Sequence, residues 1–341
     1  MIVTCTPNPS LDRTFEVDRL LRGQVQRLTA SRVHPGGKGV NVARALHRNG
    51  YPVHAVAPIG GPEGTQFAML LEAVGVPMTT VHVDTPIRAN VTVTEADGTT
   101  TKLNAEGARL TAEARERLLS VTVDLAEGGG WIAGCGSLPP GAGDHFYADL
   151  VERGRRAGCR TAIDASGPAL ALAVEAGPAL IKPNYHELSE LAGHELATFA
   201  DAVDVARDLC ARGVGAVLVS LGVDGALLVT GDRVRRARAA ATLRDSVATR
   251  SVYEPVGGDH GVVYGDSEPV AVRSTVGAGD AMLAGFLASG AAGADGLAQG
   301  LAWASAACRL PGSTMPGPDD LDPTAVRLHD RYPADRPLKG D

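Results

Sequence analysis

The sequence predicts an α/β fold, with a mostly parallel sheet that helices cover on both faces. Two observations carry this prediction. Short runs rich in Val, Ile and Leu are typical of buried strands, and they recur at residues 2–5, 53–59, 131–135, 161–164, 180–182, 216–221 and 226–230. Segments with helical spacing lie between them, at residues 40–48, 66–74, 144–157 and 200–212 among others. This alternation is the arrangement of a parallel sheet buried between two helical layers.

Length and composition limit the kinds of protein that this chain can be. Its 341 residues are 44% hydrophobic and 21% charged, which is enough apolar material for one large α/β core or two small ones. The 32 Lys and Arg residues against 39 Asp and Glu residues give a net charge of -7, and 4% of the residues are aromatic. An acidic chain with few stacking rings is not expected to bind nucleic acid.

The cysteines and the first residues predict a cytoplasmic protein. The five cysteines are odd in number and lie far apart, without the paired spacing of a zinc site or a redox motif, so we expect them to be reduced. The beginning, MIVTCTPNPSLDR, has no basic segment followed by a long apolar run, and it therefore does not resemble a signal peptide. No apolar run has the length of a membrane-spanning helix, and we expect no membrane partner.

Four segments depart from the strand and helix alternation. Residues 12–34 and 87–104, the second with a hairpin turn at Asp97 and Gly98, are expected to form a small β-sheet lid. Residues 244–270 are rich in Gly, Asp, Ser and Val without a helical period, and we interpret them as an inserted loop. Residues 311–341 contain many prolines and are predicted to be a mostly irregular tail that faces solvent.

The most informative motif is STVGAGD at residues 274–280, which leads into an apolar helix, AMLAGFLA. Glycines there let the backbone approach a ligand closely, and the free N–H groups and dipole of the helix start stabilise a phosphoryl group. Asp280 can then accept a proton from an attacking hydroxyl. The alternative is a glycine-rich helix start that Asp280 merely stabilises. The chain lacks the Walker sequence, the complete G-x-G-x-x-G, the G-x-S-x-G elbow and the H-E-x-x-H motif, so the common alternatives lack their usual sequence support.

A second glycine cluster, HPGGKGVN at residues 34–41, also begins a helix. Its glycines allow close approach of the backbone, while Lys38 and Asn41 add a cation and an amide for a polar ligand. The alternative is an ordinary loop that starts a helix, with Lys38 in solvent.

These motifs together resemble the ribokinase-like carbohydrate kinases, specifically their phosphofructokinase B group. The resemblance includes GGKGVNVARAL and STVGAGDAMLAGF, and in order TPNPSLDRTFEV, GSLPPG, IKPNYHEL and VSLGVDGALLV. It implies a single domain over residues 1–341 with a three-layer α/β/α fold and a β-sheet lid. It also implies an enzyme that transfers a phosphoryl group from ATP to a sugar hydroxyl. Apart from the resemblance, an exposed edge of the lid sheet can pair with a second copy, so a homodimer through the lid is one possible assembly that the sequence leaves open.

The resemblance implies a role for each matching position. The implied catalytic residues are Asp280 as base and Gly277, Ala278 and Gly279 as the anion hole. The implied substrate-binding residues are Asp12, Gly37, Lys38, Asn41, Arg88, Ser137 and, as a second basic candidate, Arg27. The implied ATP-binding residues are Lys182, Asn184, Ser220, Gly222 and Gly225, and Glu187 with Asn184 is expected to organise Mg²⁺ through water.

Several of these positions also have structural interpretations. Asp12 could form an Asx turn, Arg88 could be a solvated residue at the end of a strand, and Glu187 could be a carboxylate of a first helical turn. A cation at Lys38 and another at Arg88 favour a phosphorylated acceptor. The resemblance implies fructose 1-phosphate, converted to fructose 1,6-bisphosphate, ahead of tagatose 6-phosphate. Fructose 6-phosphate, ribose or a nucleoside, and a sugar-phosphate-binding protein without turnover are the further alternatives.

Overall fold

The computed structural model describes residues 1–232 and 261–339. Its first half contains the elements β1 Ile2–Cys5, β2 Ser10–Val17, β3 Ala30–Gly36, α1 Lys38–Arg48, β4 Val53–Ile59, α2 Gly61–Ala73, β5 Met78–His82, β6 Arg88–Glu95, β7 Thr100–Leu103, α3 Ala112–Ala126, β8 Trp131–Cys135, α4 Phe146–Arg156 and β9 Arg160–Asp164. Its second half contains α5 Gly167–Glu175, β10 Leu180–Ile181, α6 Tyr185–Ala192, α7 Phe199–Ala211, β11 Ala216–Ser220, β12 Ala226–Thr230, β13 Val262–Ser267, α8 Ala278–Ala288, α9 Gly293–Cys308 and β14 Val326–His329.

Within those ranges, the main sheet has ten strands in the order β14-β13-β12-β11-β10-β9-β8-β1-β4-β5. The pairs from β11 to β5 are parallel, and β12, β13 and β14 are each antiparallel to their neighbours. The sheet is therefore mostly parallel, and the predicted α/β class is confirmed. Strand β12 runs opposite to β11. The connection from β12 to β13 therefore lies at the end of the sheet opposite the carboxyl ends of the parallel strands.

The strands alternate their side chains between two separate cores. In β8, Ile132 packs into a core that also contains Leu118 from α3, while Trp131 packs into a core that contains Leu46 from α1 and Met282 from α8. The two clusters lie on opposite faces of the sheet because successive strand residues point to opposite faces. This is the physical reason that the strand sequences look continuously apolar, and it gives the three predicted layers.

A second sheet of four strands has the order β3-β2-β6-β7. Strands β2 and β3 and strands β6 and β7 pair antiparallel, whereas β2 and β6 are parallel. The β6–β7 hairpin turns at Gly98, which has a φ of 90° that only glycine adopts readily. This sheet contains the strands expected for the lid, and it places Asp12 and Arg88 on neighbouring strands.

The structure differs from the sequence prediction at the end of the proposed insertion, residues 244–270. Residues 244–260 lie outside the described residues, but Val262–Ser267 is strand β13, which pairs with β12 inside the main sheet. The Gly, Asp and Ser content of this strand concealed it, since these residues are uncommon in strands.

The C-terminal tail also contains structure that the sequence did not indicate. Val326–His329 forms β14, which pairs antiparallel with β13, and Leu338 and Tyr332 pack against a core. The tail is thus attached to the sheet at several points. In the described ranges, no helix is both long enough and apolar enough to cross a bilayer.

Candidate active site

The candidate site lies where the parallel strands end. Asp164 ends β9, Lys182 follows β10 and Ser220 ends β11, so the three residues meet at one edge of the sheet. Helices α1 and α8 begin at the same edge, where Asn41 of α1 contacts Asp280 of α8, and the two helices pack against each other. The carboxyl ends of the strands of an open α/β sheet are the usual position of a ligand crevice.

The start of α8 is built as an anion-binding turn. Gly277 has a φ of 82°, and an added Cβ would lie 2.5 Å from the Met315 Cε atom, so both backbone conformation and space require glycine. The first helical hydrogen bond runs from the Ala281 N–H to the Gly277 carbonyl at 2.9 Å, while the Ala278 N–H donates to Thr275 at 3.3 Å. Among the described residues, the N–H groups of Gly277 and of positions 279 and 280 have no hydrogen-bond acceptor. They are available to an anion.

Asp280 is held in the first turn of this helix. It is 6% exposed, and its Oδ2 accepts a hydrogen bond from the Asn41 Nδ2 at 2.9 Å. Burial and the nearby negative charge of Asp164 raise the pKa of Asp280 to about 6, against the opposing effect of Lys38, Asn41 and Lys182. A carboxylate with such a pKa is a stronger proton acceptor than an ordinary aspartate and remains ionised at neutral pH.

Asp164 is a central member of the site that the sequence analysis did not identify. Its side chain is fully buried, and its Oδ1 accepts a hydrogen bond from the Lys38 Nζ at 2.7 Å. The Lys182 Nζ lies 3.1 Å from the other oxygen, Oδ2, as an ion pair without a well-directed hydrogen bond. Burial alone would raise the pKa of Asp164, but the charges of Lys182 and Lys38 outweigh it and lower the pKa. Its position at the end of a buried strand was the available signal in the sequence.

Both lysines of the site are directed by this carboxylate. Lys38 also approaches the Glu187 Oε1 at 3.4 Å, and although burial opposes its charge, Asp164, Glu187 and Asp280 raise its pKa overall. Lys182 is 4% exposed, and its Nζ would lie 3.2 Å from a Cβ added at Gly279. The Lys182 ammonium therefore lies directly beside the anion-binding turn. Lys38 thus lies among the carboxylates of Asp164 and Glu187, whereas the sequence led us to expect it to share the substrate phosphate with Arg88.

Asp12 lies at the junction of the lid and the main sheet. Its Oδ1 accepts hydrogen bonds from the Ser10 hydroxyl at 2.7 Å and from the Asn90 Nδ2 at 3.1 Å. A Cβ added at Gly36 on β3 would lie 2.0 Å from the Asp12 Oδ2, so only glycine leaves this carboxylate in place. Asp12 thus forms a positioned acceptor within the lid and not an isolated turn. Asn90, two residues after Arg88 on the same strand face, was not identified from the sequence.

Arg88 bridges the lid to the first strand loop. Its Nη1 donates to the Ala105 carbonyl and its Nη2 donates to the Asn8 carbonyl, each at 3.1 Å. Its Nε atom is buried and has no hydrogen-bond partner among the described residues. The Asn8 side chain donates to the Ser137 Oγ at 3.2 Å, which joins this loop to the strand end at residues 136–141. A buried donor without a partner is costly in the unliganded protein and suits an anionic ligand.

The metal-binding candidates Asn184 and Glu187 form a capping box at the start of α6. The Asn184 Oδ1 accepts from the Glu187 N–H at 2.8 Å, and the Glu187 Oε2 accepts from the Asn184 N–H at 2.9 Å. Glu187 therefore stabilises the beginning of α6 as a carboxylate of the first helical turn. Its other oxygen, Oε1, faces Lys38 inside the site. In the described part of the chain, no group of three His, Cys, Asp or Glu side chains is placed to enclose a metal ion.

The candidate nucleotide turn follows β11. Ser220 forms an isolated parallel bridge with Asn184, and the short 3-10 helix Gly222–Asp224 comes next. Gly225 has a φ of 90°, and an added Cβ would lie 2.3 Å from the Gly265 carbonyl oxygen. The turn is therefore tightly fitted against β13. The bridge between Ser220 and Asn184 places the turn next to the beginning of α6.

Two further residues that the resemblance assigns to substrate binding, Gly37 and Arg27, differ in their surroundings. Gly37 precedes α1 with a φ of 112°, and an added Cβ would lie 2.8 Å from the Thr6 Cγ2 atom, so both conformation and packing favour glycine there. Arg27 lies in the exposed connection between β2 and β3 and forms no polar contact with the described residues. The structure thus supplies no contact that joins Arg27 to the site.

Fold and site together define a phosphotransferase with an alcohol acceptor. The sequence profile described as pfkB family carbohydrate kinase matches residues 8–249, and the chain belongs to this family. It is similar to a 1-phosphofructokinase of Rhodobacter capsulatus, with 37% identity over 86% of this chain and 85% of the relative. It is also similar to a 1-phosphofructokinase of Haloferax volcanii, with 36% identity over 94% of this chain and 95% of the relative.

Solved structures agree with this assignment. Phosphofructokinase-2 from Escherichia coli in complex with potassium superposes with a TM-score of 0.81 and 31% identity, over 94% of this chain and 96% of that chain. The same enzyme has been solved with fructose-6-phosphate and in a tetrameric inhibited form. The predicted family, ribokinase-like fold and kinase class are confirmed, and ATP is the co-substrate of such sugar kinases.

Proposed function

We propose that this protein is a 1-phosphofructokinase, which transfers the γ-phosphoryl group of ATP to the 6-hydroxyl of fructose 1-phosphate. The observation that carries the mechanism is Asp280, a buried carboxylate with a raised pKa beside free backbone N–H groups. Base and anion hole lie within one helical turn, as an in-line transfer to a hydroxyl requires.

In the proposed reaction, Asp280 accepts the proton of the 6-hydroxyl as that oxygen forms its bond to the γ-phosphorus. The bond from the γ-phosphorus to the bridging oxygen of ADP breaks, and ADP leaves with the electron pair. The N–H groups at Gly277 and Gly279 and the ammonium of Lys182 stabilise the charge on the transferring group. Asn41 holds the Asp280 side chain in orientation through the 2.9 Å hydrogen bond to Oδ2.

The lid is proposed to bind the sugar phosphate. Arg88 offers its unpaired Nε to the phosphate that the substrate already carries, while its Nη atoms are fixed by two backbone carbonyls. Asp12, held by Ser10 and Asn90, accepts hydrogen bonds from sugar hydroxyls. Ser137, at the facing strand end, completes this side of the pocket.

The nucleotide is proposed to lie across Ser220, Gly222 and Gly225, with its phosphates directed toward Lys182. Mg²⁺ fits the donor set at Asn184 and Glu187, since amide and carboxylate oxygens suit a hard ion that keeps most of its waters. The absence of a three-ligand cage among the described residues favours contact through water. When bound, the ion would neutralise charge on the ATP phosphates.

The choice of substrate is supported by the relatives that match most of the chain. Two of them, from Rhodobacter capsulatus and Haloferax volcanii, are 1-phosphofructokinases. The second candidate is fructose 6-phosphate, because the Escherichia coli enzyme has been solved with that sugar.

The test is ADP release by purified protein with Mg-ATP and fructose 1-phosphate, fructose 6-phosphate, tagatose 6-phosphate or ribose. A preference for fructose 1-phosphate that the Asp280→Asn variant loses supports both substrate and base. If another sugar is preferred, the substrate assignment is wrong and the kinase mechanism stands. If the variant keeps full activity, Asp280 is not the base.

We also propose that two copies pair through the lid in the cytoplasm. Strands β3 and β7 are the edges of the lid sheet, and Leu103 on β7 is 62% exposed. The connection between β2 and β3 exposes Val25 fully and Leu28 at 48%. Exposed apolar residues on an unpaired edge favour edge-to-edge association. Sedimentation of wild type and Leu103→Lys should show a dimer that the variant weakens, and a monomeric wild type would exclude the pairing.

A further inference from the structure

The C-terminal strap, residues 330–339, ends beside the ATP turn, residues 220–225. We infer that the strap fixes this turn in its nucleotide-binding conformation, with Arg336 as a positioning residue. The inference rests on the proposed function, because it takes the ATP turn as the nucleotide site. Within the turn, the Asp224 N–H donates to the Leu221 carbonyl at 2.9 Å and the Gly225 N–H donates to the Gly222 carbonyl at 3.2 Å. So short a turn requires outside contacts to remain in one conformation.

The outside contacts converge on the side chain of Asp224. This residue is 3% exposed, so its carboxylate must find partners within the protein. The Lys339 N–H donates to its Oδ2 at 2.8 Å, and the Arg336 Nη2 donates to its Oδ1 at 3.3 Å. Both partners belong to the strap, which lies more than a hundred residues later in the sequence.

The backbone of Asp224 is held as well. The Tyr264 hydroxyl donates to the Asp224 carbonyl at 3.2 Å, and the Arg336 Nη2 donates to the Tyr264 hydroxyl at 3.0 Å. One guanidinium thus supports both the carboxylate and, through Tyr264, the carbonyl of the same turn residue. Strand β13 packs against the other side of the turn, where Gly225 lies close to the Gly265 carbonyl.

The strap is itself anchored to the start of α7, independently of Asp224. The Ala200 N–H donates to the Ala334 carbonyl and the Leu338 N–H donates to the Ala197 carbonyl, each at 3.0 Å. The Arg336 guanidinium lies 4.4 Å from the centroid of the Phe199 ring. These contacts direct Arg336 toward the turn, so replacement of this one side chain leaves the backbone attachment of the strap intact.

The consequence concerns nucleotide affinity and not sugar affinity. Asp12 and Arg88 lie in the lid, which the strap does not touch among the contacts described, so loosening the ATP turn should weaken ATP binding selectively. Binding is reciprocal, and a nucleotide that orders the turn should also make the strap open less often.

The first test compares full-length Arg336→Ala with Arg331→Ala, a matched control at an exposed arginine of the same segment. Arg336→Ala should raise the KM for MgATP and the Kd for MgADP about three- to tenfold, and leave the KM for fructose 1-phosphate unchanged. Arg336→Lys should recover part of the loss, and Arg331→Ala should behave as wild type. An unchanged KM for MgATP in Arg336→Ala, or an equal rise in both KM values, overturns the inference.

The second test shows whether Arg336 acts through Asp224. Asp224→Asn and Arg336→Ala should together cost less MgADP affinity than the product of their separate losses, because they remove one interaction. Amide hydrogen exchange at Leu338 and Ala200 should slow when MgADP binds the wild type. Independent losses, or exchange that ADP does not change, overturn the inference while the kinase function stands. A wild type that binds no adenine nucleotide overturns both.

Discussion

Replacement of Asp280 by asparagine should make the protein more stable while it removes the activity. Asp280 is 6% exposed and lies near the charge of Asp164, and its pKa is raised from 3.8 to about 6. A pKa that is higher in the folded than in the unfolded state means that the ionised carboxylate destabilises the fold at neutral pH. The difference between a pKa of 3.8 and one of about 6 corresponds to an upper limit of about 3 kcal/mol. Asparagine has the same shape without the charge, and its side-chain oxygen still accepts the hydrogen bond from Asn41.

The assay is urea unfolding of wild type, Asp280→Asn and Asp84→Asn, the last a control at a side chain that is 89% exposed. At about pH 7.5, Asp280→Asn should raise the free energy of unfolding by about 1 to 3 kcal/mol, and the control should change it by less than about 0.5 kcal/mol. Toward pH 4 the gain should shrink, because the folded wild type then binds a proton at Asp280 that the unfolded chain does not bind.

Activity supplies the second measurement on the same variant. Loss of the general base should lower kcat by about 10²- to 10⁴-fold. A variant that is less stable than wild type near neutral pH, or a gain that does not depend on pH, would refute the electrostatic account of Asp280. In that case burial and the charge of Asp164 do not destabilise the ionised form of Asp280, and its proposed proton affinity has no physical basis.

Three further predictions concern the pH profile and the lid. The kcat/KM for fructose 1-phosphate should fall tenfold per pH unit below about 6, where Asp280 becomes protonated, and a flat profile down to about pH 5 would contradict the assigned base. Gly36→Ala places a Cβ 2.0 Å from the Asp12 Oδ2 and should therefore raise the KM for the sugar phosphate about tenfold or more. Ser31→Ala, on the same strand, is the control and should leave this KM unchanged. Arg88→Lys should raise that KM about ten- to a hundredfold, since lysine cannot bond two carbonyls and a phosphate in one plane; an equal rise for ATP would argue against a lid contact.

Much of the fold could be predicted because burial on both faces makes parallel strands recognisable as short apolar runs. Strand β8 at Trp131–Cys135 is entirely buried and was predicted at those bounds. Strands β13 and β14 were not predicted, because they lie at one side of the sheet and carry exposed or polar residues such as Asp266 and Arg327. Their stability comes from pairing with β12 and with each other, which no local pattern reveals.

The site was predictable where the backbone itself imposes the residue type. Gly277 is required by a positive φ and by Met315, and Asp280 follows it within the same motif. Asp164 and Asn8 were missed, because each is an isolated polar residue whose partners come from remote parts of the chain. The role of the Asp164 carboxylate becomes apparent only in the folded protein, where it accepts a hydrogen bond from Lys38, 126 positions away in the sequence.

The hydrogen bond between Asn41 and Asp280 has a consequence for folding. It joins residues 239 positions apart, from a helix near the beginning of the chain to a helix near its end. Contacts of such sequence separation form late, since the entropy of closing a long loop must be overcome before they contribute. During refolding, the return of catalytic activity should therefore lag behind the return of helical circular dichroism. Partly folded chains would consume no ATP until both halves of the sheet have assembled.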